Sequence, residues 1–149
     1  MRAVVQRVHD CTVSVEGQQF AKITRGLLVY LGVAHGDAQS DIDYMVDKLA
    51  NLRIFPDEYQ KMNLSILDCG GQVCVVSQFT LLGDVRQGRR PSWDGAAPPE
   101  IAKTVYETTC QALRDKGLAV EKGVFQAHMA VAYTNDGPVT ILLDSRKLF

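Results

Sequence analysis

Gln72-Val-Cys-Val-Val-Ser-Gln-Phe-Thr-Leu-Leu82 is the stretch on which the reading of this chain turns. It follows Cys69-Gly70-Gly71, a turn signal. The continuous apolar run Val73-Cys-Val-Val76 predicts a short strand buried on both faces, in the middle of a sheet. The chain then turns polar at Ser77, Gln78 and Thr80 with no Gly or Pro to break it. Two readings are open. The strand leaves the core and these side chains are merely solvated, or it delivers them to a sheet end, where ligands bind in open α/β sheets.

Working outward, Leu27-Leu-Val-Tyr-Leu-Gly-Val33 predicts a second buried strand, bounded by Arg25-Gly26 and His35-Gly36-Asp37. Towards the N-terminus lie Ala3-Val4-Val5 and the alternating Cys11-Thr-Val-Ser-Val15. A turn at Glu16-Gly17-Gln18 and a return strand Phe20-Ala-Lys-Ile23 follow. His9 sits between two strand candidates and reads as a surface residue. Ser40 is expected to cap a helix with Asp43, and Ile42, Met45, Val46 and Leu49 recur on one face of it. Arg53-Ile54-Phe55 reads as a short strand stopped at Pro56-Asp57, and residues 58–67 read as irregular.

Beyond the central stretch, a second helix opens at Pro98-Pro99-Glu100 and ends at Lys116-Gly117. Its expected buried stripe is Ala102, Val105, Tyr106, Thr109, Cys110 and Leu113. Phe125 to Tyr133 reads as a strand, Asn135-Asp136-Gly137-Pro138 as a hairpin turn, and Val139 to Asp144 as the last strand. Strands and two helices without strict βαβ alternation predict a single α/β domain over residues 1–149. The β-sheet layers would form a partial barrel, with the two main helices packed on one side.

Composition bounds the chemistry. The 149 residues are 46% hydrophobic and 22% charged, as in ordinary globular proteins. The net charge of −1 means that nucleic-acid binding must rest on a local basic patch. Such a patch is available between Gly83 and Pro99, where Arg86, Arg89, Arg90 and Trp93 could hold phosphates and stack on a base. A plain solvated loop is the competing reading. The four cysteines form no CxxC pair and have no histidine at ligand spacing, so no metal site is expected. No signal-peptide pattern and no membrane-length apolar run are present. The expected setting is the cytoplasm, with reduced thiols.

Ser77-Gln-Phe-Thr-Leu81 and Asn135-Asp-Gly-Pro-Val-Thr140 together resemble the two signature motifs of the D-aminoacyl-tRNA deacylases. The similarity continues through Arg2-Ala-Val-Val-Gln-Arg-Val8, Gly26 to Val33, Arg53-Ile-Phe55, Lys61-Met-Asn63 and Arg90-Pro-Ser-Trp93, in order along nearly the whole chain. Gln126 and His128 depart from it, standing where that family carries small and acidic residues.

The resemblance implies a three-layer α/β/β fold and a homodimer with active sites at the subunit interface. It implies hydrolysis of the ester that joins a D-amino acid, or glycine mischarged on tRNA-Ala, to the terminal adenosine of tRNA. No cofactor and no metal are called for, and the partner is the acceptor end of the aminoacyl-tRNA. Phe79 and Thr80 would offer backbone N–H groups to the developing oxyanion, and Ser77 and Gln78 would hold that loop and the adenosine. Met129 would pack on the adenine, with Asn135, Val139 and Thr140 also in substrate binding. Gly137 and Pro138, joined by a cis bond, would exclude L-aminoacyl groups from the partner subunit's site. Arg86, Arg89 and Arg90 would contact tRNA phosphates. Neither motif holds a base for Thr80, so attack by water assisted by the ribose 2′-hydroxyl is favoured. Two rival classes are a non-catalytic RNA-binding module and an esterase or peptidase with a Cys or Ser nucleophile. The latter needs a histidine partner, and His9, His35 and His128 stand at no known spacing for one.

Overall fold

The computed structural model describes residues 1–148. In chain order the elements are β1 (Arg2–Val15), β2 (Gln18–Ile23), β3 (Gly26–Gly32), α1 (Gln39–Asn51), β4 (Phe55–Pro56), β5 (Met62–Leu64) and α2 (Ile66–Cys69). Then come β6 (Gln72–Ser77), a 3₁₀ turn over Phe79–Leu82, α3 (Pro99–Asp115), β7 (Ala119–Lys122) and β8 (Ala130–Asp144).

β6 lies between β3 and β7 and runs parallel to both, as its unbroken apolar run predicts. Its side chains alternate between two cores. Val73 and Val75, with Leu27, Val29 and Leu31 of β3, face the layer formed by α1 and α3. Cys74 and Val76, with Leu28, face a second cluster built from Val8, Cys11, Val13, Ala21 and Ile23. The parallel strands are therefore the middle of three layers: helices outside, central strands, and a folded-back sheet beneath.

A single long strand makes that folding back possible. β1 pairs with β3 through Arg2–Val8 and with β2 through Cys11–Val15, while β8 pairs along its other edge. Ala3 and Val5 face the first core and Val8, Cys11 and Val13 the second, and between these groups the register slips at Gln6/Val8 and Val8/Asp10. Such bulges bend a strand, and here the bend carries β1 from the first core to the second. β2 also packs against β6 and β7, so the sheet nearly closes.

Several local expectations are corrected. α1 begins at Gln39, not after Ser40: Ala38 is its N-cap, and the Asp41 carboxylate accepts the Ala38 N–H at 2.8 Å. Residues 58–67 are not wholly irregular. Asp57 accepts the N–H groups of Tyr59 and Lys61, shaping the turn that pairs β4 with β5. Ser65 caps α2 and is bonded reciprocally to Asp68. The short strand near Arg53 starts only at Phe55. Phe125–Met129 is not strand, because Gln126 takes φ +63° and β8 starts at Ala130. Asn135–Pro138 is not a hairpin turn either, since β8 runs on to Asp144.

Candidate active site

The C-terminal end of the parallel pair builds the site. Ser77 registers with Leu31, and the Gln78 N–H donates to the Leu31 carbonyl at 2.9 Å, so the chain stays on β3 to its last residue. It then winds tightly. The Gly83 N–H donates to Thr80 O at 3.0 Å, closing the turn over Phe79–Leu82. Gly32 allows this close seat, because a Cβ there would lie 2.6 Å from Leu82 Cδ2 and 2.9 Å from Gln78 O. Arg2 fixes the far end: its guanidinium donates to Leu81 O at 3.1 Å and to Asp144 Oδ2 at 3.0 Å.

Two N–H groups are left over. A 3₁₀ turn cannot satisfy its first donors internally, and neither Phe79 N–H nor Thr80 N–H donates a hydrogen bond among the described residues. The Gln78 amide donates to the Thr80 hydroxyl. Phe79 is 56% exposed and meets Trp93 edge-on, with ring centroids 5.2 Å apart.

Beside this turn opens a cavity of about 760 Å³. Leu31, Val33, Val76, Phe125, Met129 and Val131 form apolar wall, with Phe79, Trp93 and the Ala96–Pro99 segment also lining it. Ser77, Gln78, His35, Gln126 and His128 contribute polar side chains. Tyr106 reaches the wall from α3 and donates to Val75 O at 2.8 Å. Burial pushes its phenol far above the ordinary range, so it remains a neutral donor. Gly123 lets Met129 close in, since a Cβ at 123 would sit 2.7 Å from the Met129 sulfur.

Nucleophile chemistry finds little support in the cavity. Ser77 makes no hydrogen bond to His35 or His128 among the described residues, and no cysteine lines the wall. Cys11 and Cys74 are buried against each other in the second core. The contact with Cys11 and burial both raise the Cys74 thiol well above the ordinary range. Burial likewise pushes Cys110 up to about 11. Among the described residues no group of three or more His, Cys, Asp and Glu is placed to hold a metal ion.

The second motif lies elsewhere on the chain. β8 pairs Asn135 with Val8 and Thr140 with Gln6, so residues 136–139 stand opposite Arg7 alone. This stretch is pushed out of the ladder, with Gly137 and Pro138 exposed and their peptide bond cis. Asn135 spans the gap, its Nδ2 donating to Arg7 O at 3.0 Å and to Val139 O at 3.1 Å. Arg7 is nearly buried. Its guanidinium donates to Ile54 O at 2.5 Å and its Nε lies 2.8 Å from Asp136 Oδ2, an ion contact without hydrogen-bond alignment. His9 Nε2 lies 3.3 Å from the other Asp136 oxygen.

Of the residues singled out in the sequence, Ser77, Gln78, Phe79 and Met129 therefore share the cavity. Thr80 adjoins it through the turn. Asn135, Gly137, Pro138, Val139 and Thr140 line no part of it. Arg86, Arg89 and Arg90 sit on the exposed hairpin closed by the mutual Asp84–Ser92 backbone bonds. Arg86 is held by Asp84, whose carboxyl the guanidinium keeps down at about 2, whereas Arg89 and Arg90 make no ion pair among the described residues. Residue reading missed Gly32, Gly123 and Arg2 as builders of the site. The Gly within the β3 run was the available signal for the first of them.

A three-layer α/β/β protein thus presents unpaired backbone donors beside a largely apolar pocket, with no hydrogen-bonded nucleophile–base pair in it among the described residues. That combination defines a class of proteins whose pocket is edged by backbone donors free to meet a polar oxygen of a bound molecule. The model of the D-Tyr-tRNA(Tyr) deacylase family matches residues 4–144, and the chain belongs to that family. It is 58% identical over 149 residues to the D-aminoacyl-tRNA deacylase of Clostridioides difficile (strain 630), with 100% of both chains covered. Among solved structures it resembles the c-Myc DNA Unwinding Element Binding Protein at 41% identity and a TM-score of 0.91, covering 97% of this chain and 98% of that one. A probable eukaryotic D-amino acid tRNA deacylase shares the fold at 18% identity and a TM-score of 0.78, covering 95% of this chain and 97% of that one. No helix among the described residues is long and apolar enough to cross a membrane.

Proposed function

We propose that this protein hydrolyses the ester of D-aminoacyl-tRNA, releasing the free D-amino acid and tRNA, and that it acts on glycine mischarged on tRNA-Ala in the same way. The observation that carries the reading is the pair of unpaired N–H groups at Phe79 and Thr80, at the edge of an apolar pocket. The aminoacyl ester enters with its carbonyl oxygen towards these donors. Water, helped by the neighbouring ribose 2′-hydroxyl, adds to the carbonyl carbon, and the donors stabilise the charge that develops on oxygen. Collapse of the adduct expels the ribose 3′-oxygen, which takes up a proton. Ser77 and Gln78 hold the turn, and Met129 packs against the terminal base.

Chiral selection is assigned to Gly137 and Pro138, carried out of the ladder on residues 136–139. In a homodimer these backbone atoms reach the partner subunit's pocket and crowd the space an L side chain needs. A D side chain points outward, so its identity matters little. Asn135, Val139 and Thr140 support the same element, and Arg89 and Arg90, with Arg86 released from Asp84, contact acceptor-stem phosphates. The cytoplasm, where tRNA is charged, is the place of action.

The test is hydrolysis of matched D- and L-aminoacyl-tRNA. Rapid turnover of the D substrate and none of the L substrate is expected, and equal rates on the two would overturn the reading. A second reading, nucleic-acid binding without catalysis, is favoured by the two unpaired arginines and by the name of the c-Myc element-binding relative. It expects tight, salt-sensitive tRNA binding with no hydrolysis of either substrate.

A further inference from the structure

The pocket wall contains one residue in a backbone conformation its side chain disfavours. The Ala127 N–H donates to Val124 O at 3.2 Å, so Val124–Ala127 is a tight turn with Gln126 in its third position. Gln126 has φ +63° there. Turns that need a positive φ at this position take Gly, whose missing Cβ avoids the following carbonyl, or Asn, whose side chain offsets that crowding by local hydrogen bonds. Among the described residues the other non-glycine residues with positive φ are Glu16, Gln60 and Lys147, exposed like Gln126 itself, but none of them lines the cavity. Gln126 alone combines the disfavoured conformation with a place on the pocket wall, and its amide makes no hydrogen bond among the described residues. Disfavoured backbone of this kind gathers at ligand sites, where the side chain's contact outweighs its cost.

We propose that Gln126 is a specificity-determining residue that reads the edge of the terminal adenine through its side-chain amide. This rests on the deacylase reading of the pocket and names a contact within it. A primary amide donates and accepts in one plane, which matches an adenine edge that carries an exocyclic amine beside a ring nitrogen. Unpaired bases are recognised by this combination of edge bonding with stacking on apolar and aromatic groups. Phe125 and Met129, on either side of Gln126 along the chain, line the same wall and supply such surface.

Gln126→Gly relaxes the turn and deletes the amide. The variant is expected to melt a few degrees higher, while KM for D-aminoacyl-tRNA rises about tenfold with kcat little changed. Wild-type protein should also discriminate against a substrate whose terminal adenosine is replaced by purine riboside, which lacks the exocyclic amine. The variant should treat the two alike. Binding of adenosine 5′-monophosphate and of purine riboside 5′-monophosphate, measured by calorimetry, gives the same comparison without turnover. An unchanged KM, or a preference for adenine that survives in Gln126→Gly, would overturn the proposal while leaving the deacylase reading intact. Absence of hydrolysis by the wild type would strike at that reading instead, and the calorimetric comparison would still decide the role of Gln126.

Discussion

Phe79 serves the pocket through its ring and through its N–H, and the two can be separated. The ring packs edge-on to Trp93, and the N–H is a free donor at the first position of the 3₁₀ turn. Proline suits that position, since its missing N–H breaks no bond there. Phe79→Pro therefore removes ring and donor together, and Phe79→Ala removes only the ring. With the donor in the oxyanion role, kcat for D-aminoacyl-tRNA is expected to fall about 10²-fold further in Phe79→Pro than in Phe79→Ala. Equal losses in single-turnover assays would place the whole effect in the ring. Gly32 tests the seat of the turn. Its absent Cβ leaves room for Gln78 O and Leu82, and Gly32→Ala would force the turn away from β3. Overpacking of this sort costs about 1–3 kcal/mol. Both a lower melting temperature and at least about a tenfold loss in kcat/KM are expected, because misplacing catalytic groups is itself costly. Full activity in a destabilised Gly32→Ala protein would show that the turn tolerates displacement.

At the scale of elements, α3 is bound to the central strand by the Tyr106 hydroxyl on Val75 O. That carbonyl also accepts the Gly123 N–H at 2.9 Å, so removing the tyrosine oxygen does not orphan it. Tyr106→Phe is therefore expected to lose only about 0.5–1.5 kcal/mol, the net worth of one bond rather than the cost of an unsatisfied group; chemical denaturation measures it. Acid acts on the helix starts. Burial raises the Asp41 carboxyl, but hydrogen bonds from Ser145 and the Ala38 N–H outweigh it and the net shift is downward. Asp68 is lowered by bonds from Ser65. Depressed carboxylates stabilise the fold above their ordinary value of 3.8, and this contribution is lost as pH falls through the folded value. Melting temperature should thus drop below about pH 4 and drop less steeply in Asp41→Asn. The same helix start shows where local reading stops. The apolar faces of α1, α3 and β6 were legible because burial follows periodicity. The N-cap was not, because an Asp inside the helix reaches back to a residue with no capping side chain. β8 was misread for a related reason. Asn-Asp-Gly-Pro is turn chemistry on its own, and what keeps it within β8 is the ladder to β1 on either side, with Asn135 bonded to Arg7 O and Asp136 in ion contact with the Arg7 guanidinium, more than a hundred residues away in the chain.

At the scale of the whole molecule, the two motifs are separated: Ser77–Phe79 line the pocket, and Gly137 and Pro138, carried out of the β1–β8 ladder, do not. The motif similarity was legible in the sequence, but this separation was not, since it depends on how β8 is laid along β1. If both motifs serve one reaction, a second copy must supply the missing half, as an isologous two-fold interface does by bringing the same patch of each copy to the other. Complementation tests this without dissociating the assembly. Phe79→Pro damages the pocket. Gly137→Ala damages the projecting element, because a Cβ at φ +123° would lie 2.9 Å from the Val139 nitrogen and 2.7 Å from its Cγ2. Each variant alone is expected to be nearly inactive on the D substrate, Gly137→Ala because backbone that approaches the bound α-carbon closely leaves no room there for a Cβ. When equal amounts are unfolded together and refolded, about half of the dimers are mixed, and each mixed dimer has one site with both parts intact. Activity should therefore recover to about a quarter of the wild-type value if sites are shared. Sites confined to one protomer would give no recovery, because every protomer would still carry a lesion in its own site. Recovery to about a quarter assigns the pocket and the Gly137–Pro138 element to opposite subunits. No recovery, with mixed dimers verified by mass, would show that the two motifs do not meet across a subunit interface.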